Sequence, residues 1–403
     1  MAKHNRWIIV VAALIIQLCL GALYSWSVFV KPLKDNFSYT TTQTQIIFSV
    51  ALASFALVMI FAGRWQDKKG PRMVATVGGV LLGLGYILAS FTGGDFILIA
   101  LTIGLIGGAG IGFVYVCPIA ACVKWFPDKR GLVTGLAVAG FGAGAWIFGQ
   151  LATMFIESAG ILEAFKYLGG IFLIAVVFGA QFLRNPPEGW VPEGWNPPVQ
   201  VVDFMNRKER MEYGWNDMIK THQFWMLWLM FVFGASAGLM VIGNLKPYGV
   251  YGGLSAAAAG AAVGVLALFN GAGRITWGVL SDKLGRIRAM TLMFLLQGLM
   301  MLALIKMGST EFLLAVAVAW VGFNYGGIFA LFPSVTADYF GTKNLGVNYG
   351  LVFTSYGVAG VLGPILAGSV FDATGSYLWA FIPSGIACLI AAALALAIKS
   401  PRN

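Results

Sequence analysis

Charge is scarce in this sequence, and acidic charge is the scarcest. Only 10% of the 403 residues are charged, with 16 aspartates and glutamates against 26 lysines and arginines, whereas a soluble globular chain carries about 25%. Hydrophobic residues make up 59% of the chain, and the mean hydropathy is +0.82. Apolar runs of about 20 residues recur along the whole length, and such runs form membrane-spanning helices. The composition therefore excludes an ordinary soluble fold.

Histidine and cysteine are rare as well. The chain has two histidines, His4 and His222, and four cysteines that show neither metal-ligand nor disulfide spacing. It lacks a G-x-x-x-x-G-K-[ST] phosphate-binding loop and a cluster of nucleophile and base. We therefore expect no metal, no cofactor and no catalytic residue, which argues against both an enzyme and an ATP-driven pump.

The apolar runs predict an all-α polytopic membrane protein with twelve spans. A polar linker, 184–222, separates six spans in residues 1–183 from six spans in residues 223–403. The predicted spans are 7–30, 42–63, 73–92, 96–122, 131–155, 161–183, 223–245, 255–280, 287–306, 311–335, 346–368 and 377–398. The pattern indicates two six-helix bundles, and the even count puts both termini on one side.

The basic residues indicate which side that is. Most of the 26 lysines and arginines lie in the termini and in the loops after even-numbered spans, whereas only Lys31, Lys34, Lys166, Lys246 and Lys306 fall at the other face. By the positive-inside rule, the termini are cytoplasmic in an inner (cytoplasmic) membrane protein. Because the basic residues flank apolar segments, the net charge of +10 points to the lipid bilayer and not to nucleic acid.

The two halves repeat each other at a spacing of 215 residues. GRWQDKKGPR (Gly63–Arg72) aligns with GVLSDKLGRI (Gly278–Ile287), and the same spacing aligns Gly131 with Gly346. Two related bundles with a substrate site between them are a transporter arrangement. The symmetry fails at Arg274, whose counterpart at this spacing is Met59.

The repeated G-x-x-x-D-x-x-G pattern, with an arginine close behind it, resembles the signature of the major facilitator superfamily. Further stretches resemble its oxalate/formate antiporter family and the bacterial monocarboxylate (lactate-type) transporters: LYSWSVFVKPL (23–33), KWFPDKRG (124–131), RNPPEGW (184–190), ALFPSVTADYFG (330–341) and NYG (348–350). The resemblance covers nearly the whole chain. It implies a monomeric carrier of small carboxylates.

Arg274 is the one basic residue well inside an apolar run. It lies eight residues before Asp282, about 12 Å along a helix, and a charge at that depth costs about 2.5–3.5 kcal/mol on insertion scales. A guanidinium matches a carboxylate geometrically, and the resemblance implies that Arg274 binds substrate. A structural arginine bonded to helix carbonyls is the alternative. Asn270, one turn earlier, either orients Arg274 or contacts substrate, or makes a plain interhelical hydrogen bond.

The resemblance also places aromatic residues around the substrate. Oxalate carriers have cavity-lining aromatics at positions matching Tyr24, Tyr115, Tyr325 and Phe329, and Phe141 and Tyr356 follow by position. Packing alone is the alternative for each ring. Oxalate carriers carry a lysine where this chain has Tyr356. One remaining cation balances a monoanion, which favours acids such as lactate or pyruvate.

Charges beside the repeated motif are gating candidates. In the superfamily such charges pair at helix ends and hold one conformation. The candidates here are Asp67, Arg72, Asp282, Arg286 and Arg288. Ordinary topology charges are the alternative, but they do not explain the repeated aspartate.

These features predict a secondary active transporter of a small monocarboxylate, with proton symport and alternating access. None of the 16 acidic residues lies deep in a span, so the sequence identifies no proton site. An anion exchanger of the oxalate/formate type is the first alternative. A transporter-like carboxylate sensor is the second, although a sensor is expected to carry a signalling domain or a long tail.

Overall fold

The computed structural model describes residues 6–187, 189–192, 212–304 and 306–401. Within these ranges twelve helices are long and apolar enough to cross a membrane, which confirms the predicted all-α fold with twelve membrane helices. Part of the linker, 193–211, lies outside the described residues. The portion that follows it contains a short helix, Trp215–Met218.

We number the membrane helices as spans in chain order. Span 1 joins helix Trp7–Gly21 to helix Ser27–Phe37 through a 3₁₀ turn, Ala22–Ser25, and span 4 joins Phe96–Ile99, a π-helical segment Ala100–Gly107 and Gly108–Trp125. The others are span 2 Thr41–Lys69, span 3 Pro71–Ala89, span 5 Arg130–Ala159, span 6 Ile161–Ala180, span 7 His222–Tyr251, span 8 Ala256–Leu284, span 9 Arg286–Leu304, span 10 Glu311–Phe340, span 11 Leu345–Thr374 and span 12 Leu378–Ala397. Several continue past their predicted ends.

Single glycines connect three pairs of spans: spans 5 and 6, through Gly160, and two pairs that the repeat relates. Gly70 alone separates spans 2 and 3, and Gly285 alone separates spans 8 and 9. Their φ angles are 86° and 87°, in a region that glycine adopts without the steric penalty of a side chain. Each glycine ends its helix while its N–H still donates to a carbonyl four residues back, that of Gln66 or Ser281. The two reversals are 215 residues apart, as the repeat predicts.

Two helix contacts are the most extensive between the first six spans and the last six. Span 5 packs on span 8 (the 5–8 seam), and span 2 packs on span 11 (the 2–11 seam). In the 5–8 seam a Cβ at Gly131 or Gly135 would overlap the backbone of Gly278 or Arg274. Glycine therefore permits this close approach of the helices.

The 2–11 seam repeats this packing. A Cβ at Gly63 would overlap the backbone of Gly346, and a Cβ at Gly350 would lie 3.1 Å from the Met59 carbonyl oxygen. Each glycine is the counterpart, 215 residues away, of a residue in the 5–8 seam. The sequence repeat is thus a two-fold relation between the seams.

The close backbone contacts of the 5–8 seam lie along only part of span 8. Gly278, Gly271, Gly264 and Gly260 share one face of span 8, by their spacing of seven, seven and four residues. A Cβ at Gly142 of span 5 would lie 3.3 Å from the Gly271 Cα, but a Cβ at Gly264 or Gly260 would meet nothing within 4 Å. Gly264 and Gly260 are exposed, and we interpret this open stretch of span 8 as one wall of a cleft between the bundles. The cleft opens away from the face that carries Arg6, Gly70, Gly285 and Pro401, which we call the terminal face.

Candidate substrate-binding site and gate

Arg274 lies in span 8 at the closed end of the cleft. Its side chain is buried, with 1% of the residue exposed. Its Nε donates to Asn270 Oδ1 at 2.9 Å, and its Nη1 donates across the 5–8 seam to the Val138 carbonyl oxygen at 2.7 Å. Its Nη2 has no hydrogen-bond partner among the described residues. Asn270 thus orients the guanidinium and leaves one donor nitrogen unused.

Two aromatic rings flank the guanidinium. Its central carbon lies 4.7 Å from the ring centre of Phe329 and 5.6 Å from that of Phe141. Ring faces attract a cation, but they supply no negative charge. None of the ion pairs that the structure gives for the described residues includes Arg274. Among the described residues, the buried charge is therefore solvated by a carbonyl group, an amide group and two aromatic rings.

Tyrosine hydroxyls surround these rings. Tyr24, from the 3₁₀ turn of span 1, hydrogen-bonds through its hydroxyl to Tyr356 of span 11, a contact between the two bundles. Tyr24 packs edge-on against Phe141 at 5.0 Å, and Tyr325 packs edge-on against Phe329 at 5.2 Å. The buried Tyr325 hydroxyl has no partner among the described residues.

All eight predicted binding residues form one connected cluster. Tyr115 of span 4 packs on Phe141 at 5.7 Å, and Tyr356 packs on Phe329 at 5.6 Å. Phe141 and Phe329 therefore link the four tyrosines to Arg274 and Asn270. The prediction that these residues bind substrate remains a prediction, because contact with one another is not contact with a ligand.

Sequence reasoning missed two residues of this cluster. Phe353 lies at its centre, with its ring centre 5.2 Å from that of Tyr115 and 5.0 Å from that of Tyr356. Tyr349 lies one turn earlier, 5.8 Å from Phe353. The signal that could have found both is helical spacing, because positions 349, 353 and 356 share one face of a helix.

At the terminal face, two aspartates bridge the bundles through helix N-termini. Asp282, at the end of span 8, accepts from the backbone N–H groups of Gly131 and Leu132 at 2.9 and 2.8 Å. Asp67, at the end of span 2, accepts from those of Gly346 and Val347 at 3.0 and 2.9 Å. Carboxylates at helix N-termini are stabilised by free N–H groups and by the helix dipole. We call these two contacts the aspartate caps.

An ion-pair network supports one cap. Arg286 bonds Asp282 at 2.7 Å and Asp338 of span 10 at 2.8 Å, and Arg130 of span 5 also pairs with Asp338. Asp338 and Arg130 were not predicted. Arg72 and Arg288, which were predicted as gating residues, are exposed and lie outside this network. The structure thus brings three of the five predicted gating residues to the bundle interface.

Fold and site together define a class of protein: a helical membrane transporter with two related six-helix bundles. The sequence profile described as Major Facilitator Superfamily matches residues 11–305 and 238–403. The chain belongs to this superfamily.

Curated relatives and a solved structure agree with this assignment. The chain is 32% identical over 397 residues to the oxalate:formate antiporter of Oxalobacter formigenes, covering 97% of this chain and 91% of that protein. It is 27% identical over 407 residues to monocarboxylate transporter 12 of Xenopus laevis, covering 96% and 87%. The proton:xylose symporter XylE shares the fold with a TM-score of 0.75 at 12% identity, covering 99% of this chain and 96% of that chain.

Proposed function

We propose that this chain is a secondary active transporter of a small monocarboxylate of the lactate and pyruvate class, with Arg274 as its carboxylate-binding residue. One observation carries the proposal: the buried guanidinium of Arg274 has an unused donor nitrogen and forms no ion pair with a carboxylate among the described residues. A buried charge without a counter-charge is costly. A substrate carboxylate supplies the missing charge and can accept from a guanidinium.

The neighbouring unused groups suit an acceptor. The Nη2 of Arg274 and the hydroxyl of Tyr325 form no hydrogen bond of good geometry with a described residue. Both can donate a hydrogen bond, whereas an ionised carboxylate only accepts one. A single cation balances a single carboxylate. Tyr356, at the position where oxalate carriers have a lysine, supplies a ring and a hydroxyl but no second positive charge. These features support a monoanion over a dianion.

The closed seams and the cleft support alternating access. The positive-inside rule assigns the terminal face to the cytoplasm, so the cleft opens to the outside. We propose that bundles 1–183 and 223–403 rock about the site, with 184–222 as their cytoplasmic linker. Exposure to the cytoplasm then requires separation of both seams and both aspartate caps.

Proton symport is the coupling that we propose. If occupied and empty carriers prefer different protonation states, a proton follows the anion without a dedicated relay. An exchanger is the second candidate, and its support is the relative named as an oxalate:formate antiporter at 32% identity. Counterflow from preloaded vesicles separates the two, because only an exchanger depends on internal carboxylate.

The test is uptake of labelled L-lactate by cells that express the chain, in acidic and neutral medium, with and without a protonophore. We expect acid-stimulated, protonophore-sensitive uptake. Arg274→Gln and Arg274→Lys should abolish it at normal expression, whereas Arg184→Gln, which removes an exposed arginine, should leave it intact. Wild-type uptake by Arg274→Gln would refute the proposal.

A further inference from the structure

Tyr349 has a buried hydroxyl that forms no hydrogen bond of good geometry with the part of the chain that the structure describes. The residue is 0% exposed, and its Oη has no hydrogen-bond partner among the described residues. An unpaired buried hydroxyl destabilises the folded protein. Phenylalanine has the same ring and avoids that cost, so fold stability alone does not account for a tyrosine here.

The Tyr349 hydroxyl faces the candidate site. It lies within reach of the Tyr115 hydroxyl and near Arg274, but it forms no hydrogen bond of good geometry with a described residue. Its ring packs on Phe353 at 5.8 Å, and Phe353 packs on Tyr115 at 5.2 Å. The free hydroxyl and the free Arg274 nitrogen therefore border the same aromatic cluster.

Tyr349 occupies the side of this cluster that faces the gate. It precedes Tyr356 by seven residues on span 11, about 10 Å along the helix, and lies nearer the terminal face. It lies three residues after Gly346 and two after Val347, whose amides bind Asp67. The hydroxyl therefore lies between the candidate site and the 2–11 seam.

We propose that Tyr349 is a further substrate-binding residue, whose hydroxyl donates a hydrogen bond to the carboxylate held by Arg274. This inference rests on the proposed function, because it requires an anion at Arg274. The anion then accepts from the charged Arg274 on span 8 and from the neutral Tyr349 hydroxyl on span 11, which border the same aromatic cluster. A carboxylate, with its two acceptor oxygens, can accept from both donors.

The test compares Tyr349→Phe with wild type in uptake by proteoliposomes and in thermal unfolding of the purified chain with and without L-lactate. A hydrogen bond to a charged group predicts a KM increase of about 10-fold to 100-fold. The empty variant should unfold at the same or a higher temperature than the empty wild type, and lactate should raise that temperature less. Tyr86→Phe is the matched control, since Tyr86 is a buried tyrosine that packs on Phe165 and Phe172 away from the cluster, and its KM should not change.

The opposite result has a clear signature. A structural hydroxyl would lower the unfolding temperature of the empty variant and leave KM unchanged, and either an unchanged KM or a variant that fails to fold overturns the inference. Arg274→Gln is measured in parallel, with pyruvate and oxalate as further probes. If wild type takes up none of these acids, or if Arg274→Gln matches wild type, the proposed function fails. If Arg274→Gln abolishes uptake but Tyr349→Phe leaves KM unchanged, the proposed function stands and this inference is wrong.

Discussion

A methyl group at Gly63 should prevent full closure of the terminal face. A Cβ there would overlap the Gly346 carbonyl group and lie 2.7 Å from the Val347 nitrogen. Both obstacles are backbone atoms, so neither can rotate away. Gly63→Ala must therefore separate span 2 from span 11.

The size of the effect follows from the cost of overpacking. Inserting a methyl into a tight contact costs about 1–3 kcal/mol, which corresponds to a change of about 5- to 150-fold in the ratio of open to closed terminal face. Because the bundles are proposed to rock as units, the 5–8 seam should open together with the 2–11 seam. The effect of Gly63→Ala in the 2–11 seam can therefore be measured with a reporter in the 5–8 seam.

The assay is labelling of a reporter, Thr134→Cys, with a small thiol reagent. Thr134 lies buried on span 5 and accepts a hydrogen bond from Ser334 of span 10 at 3.3 Å. The four native cysteines are all buried, which keeps the background low. Adding Gly63→Ala should accelerate labelling of the reporter by about 5-fold or more, the lower bound set by overpacking.

Gly170→Ala serves as the control, because a Cβ at Gly170 would meet nothing within 4 Å. It should leave labelling unchanged. If Gly63→Ala also left labelling and uptake at their wild-type levels, the glycine contact would not be needed for closure, and the rigid-body interpretation would be wrong.

Two further predictions concern the gate and the selectivity of the site. Asp338→Asn removes the carboxylate shared by Arg130 and Arg286. It should speed reporter labelling less than Gly63→Ala does, because partly exposed ion pairs contribute only about 0–1 kcal/mol. Labelling as fast as in Gly63→Ala would show that the ion pairs, and not the glycines, hold the terminal face closed. Tyr356→Lys adds a second cation near Arg274, so oxalate should compete with lactate uptake more strongly than in wild type, and unchanged competition would contradict the charge-balance argument.

Sequence alone predicts the parts of this protein that depend on local pattern. A charge within an apolar run identifies Arg274, because membrane helices rarely carry one. The 215-residue repeat indicates which glycines are equivalent, and the structure shows why, since Gly131 and Gly346 occupy equivalent places in the two seams. The number of spans follows from hydropathy, as confirmed by the twelve helices.

What sequence does not predict depends on contacts between distant helices. Asp338 pairs with Arg130 across a separation of 208 residues, and no local pattern distinguishes it from an ordinary charge at a helix end. Tyr349 looks like a packing residue until the position of Tyr115 is known. Span ends also differ, as in span 11, predicted to end at 368 but helical to Thr374. Hydropathy falls where polar residues begin, whereas backbone hydrogen bonding continues.

Arg274 and Met59 occupy equivalent positions in the two halves but have different side chains. This difference separates the residues that determine substrate charge from the backbone contacts that close the seams. Met59 is fully buried, and its carbonyl faces Gly350 just as the Arg274 carbonyl faces Gly135. Both backbones pack against a glycine of the opposite bundle, while only the Arg274 side chain carries a charge. A substitution at a position where the two halves differ can therefore change substrate preference without altering the glycine contacts of the seams. Redesign of the carrier for a different acid should begin at positions where the two halves carry different residues.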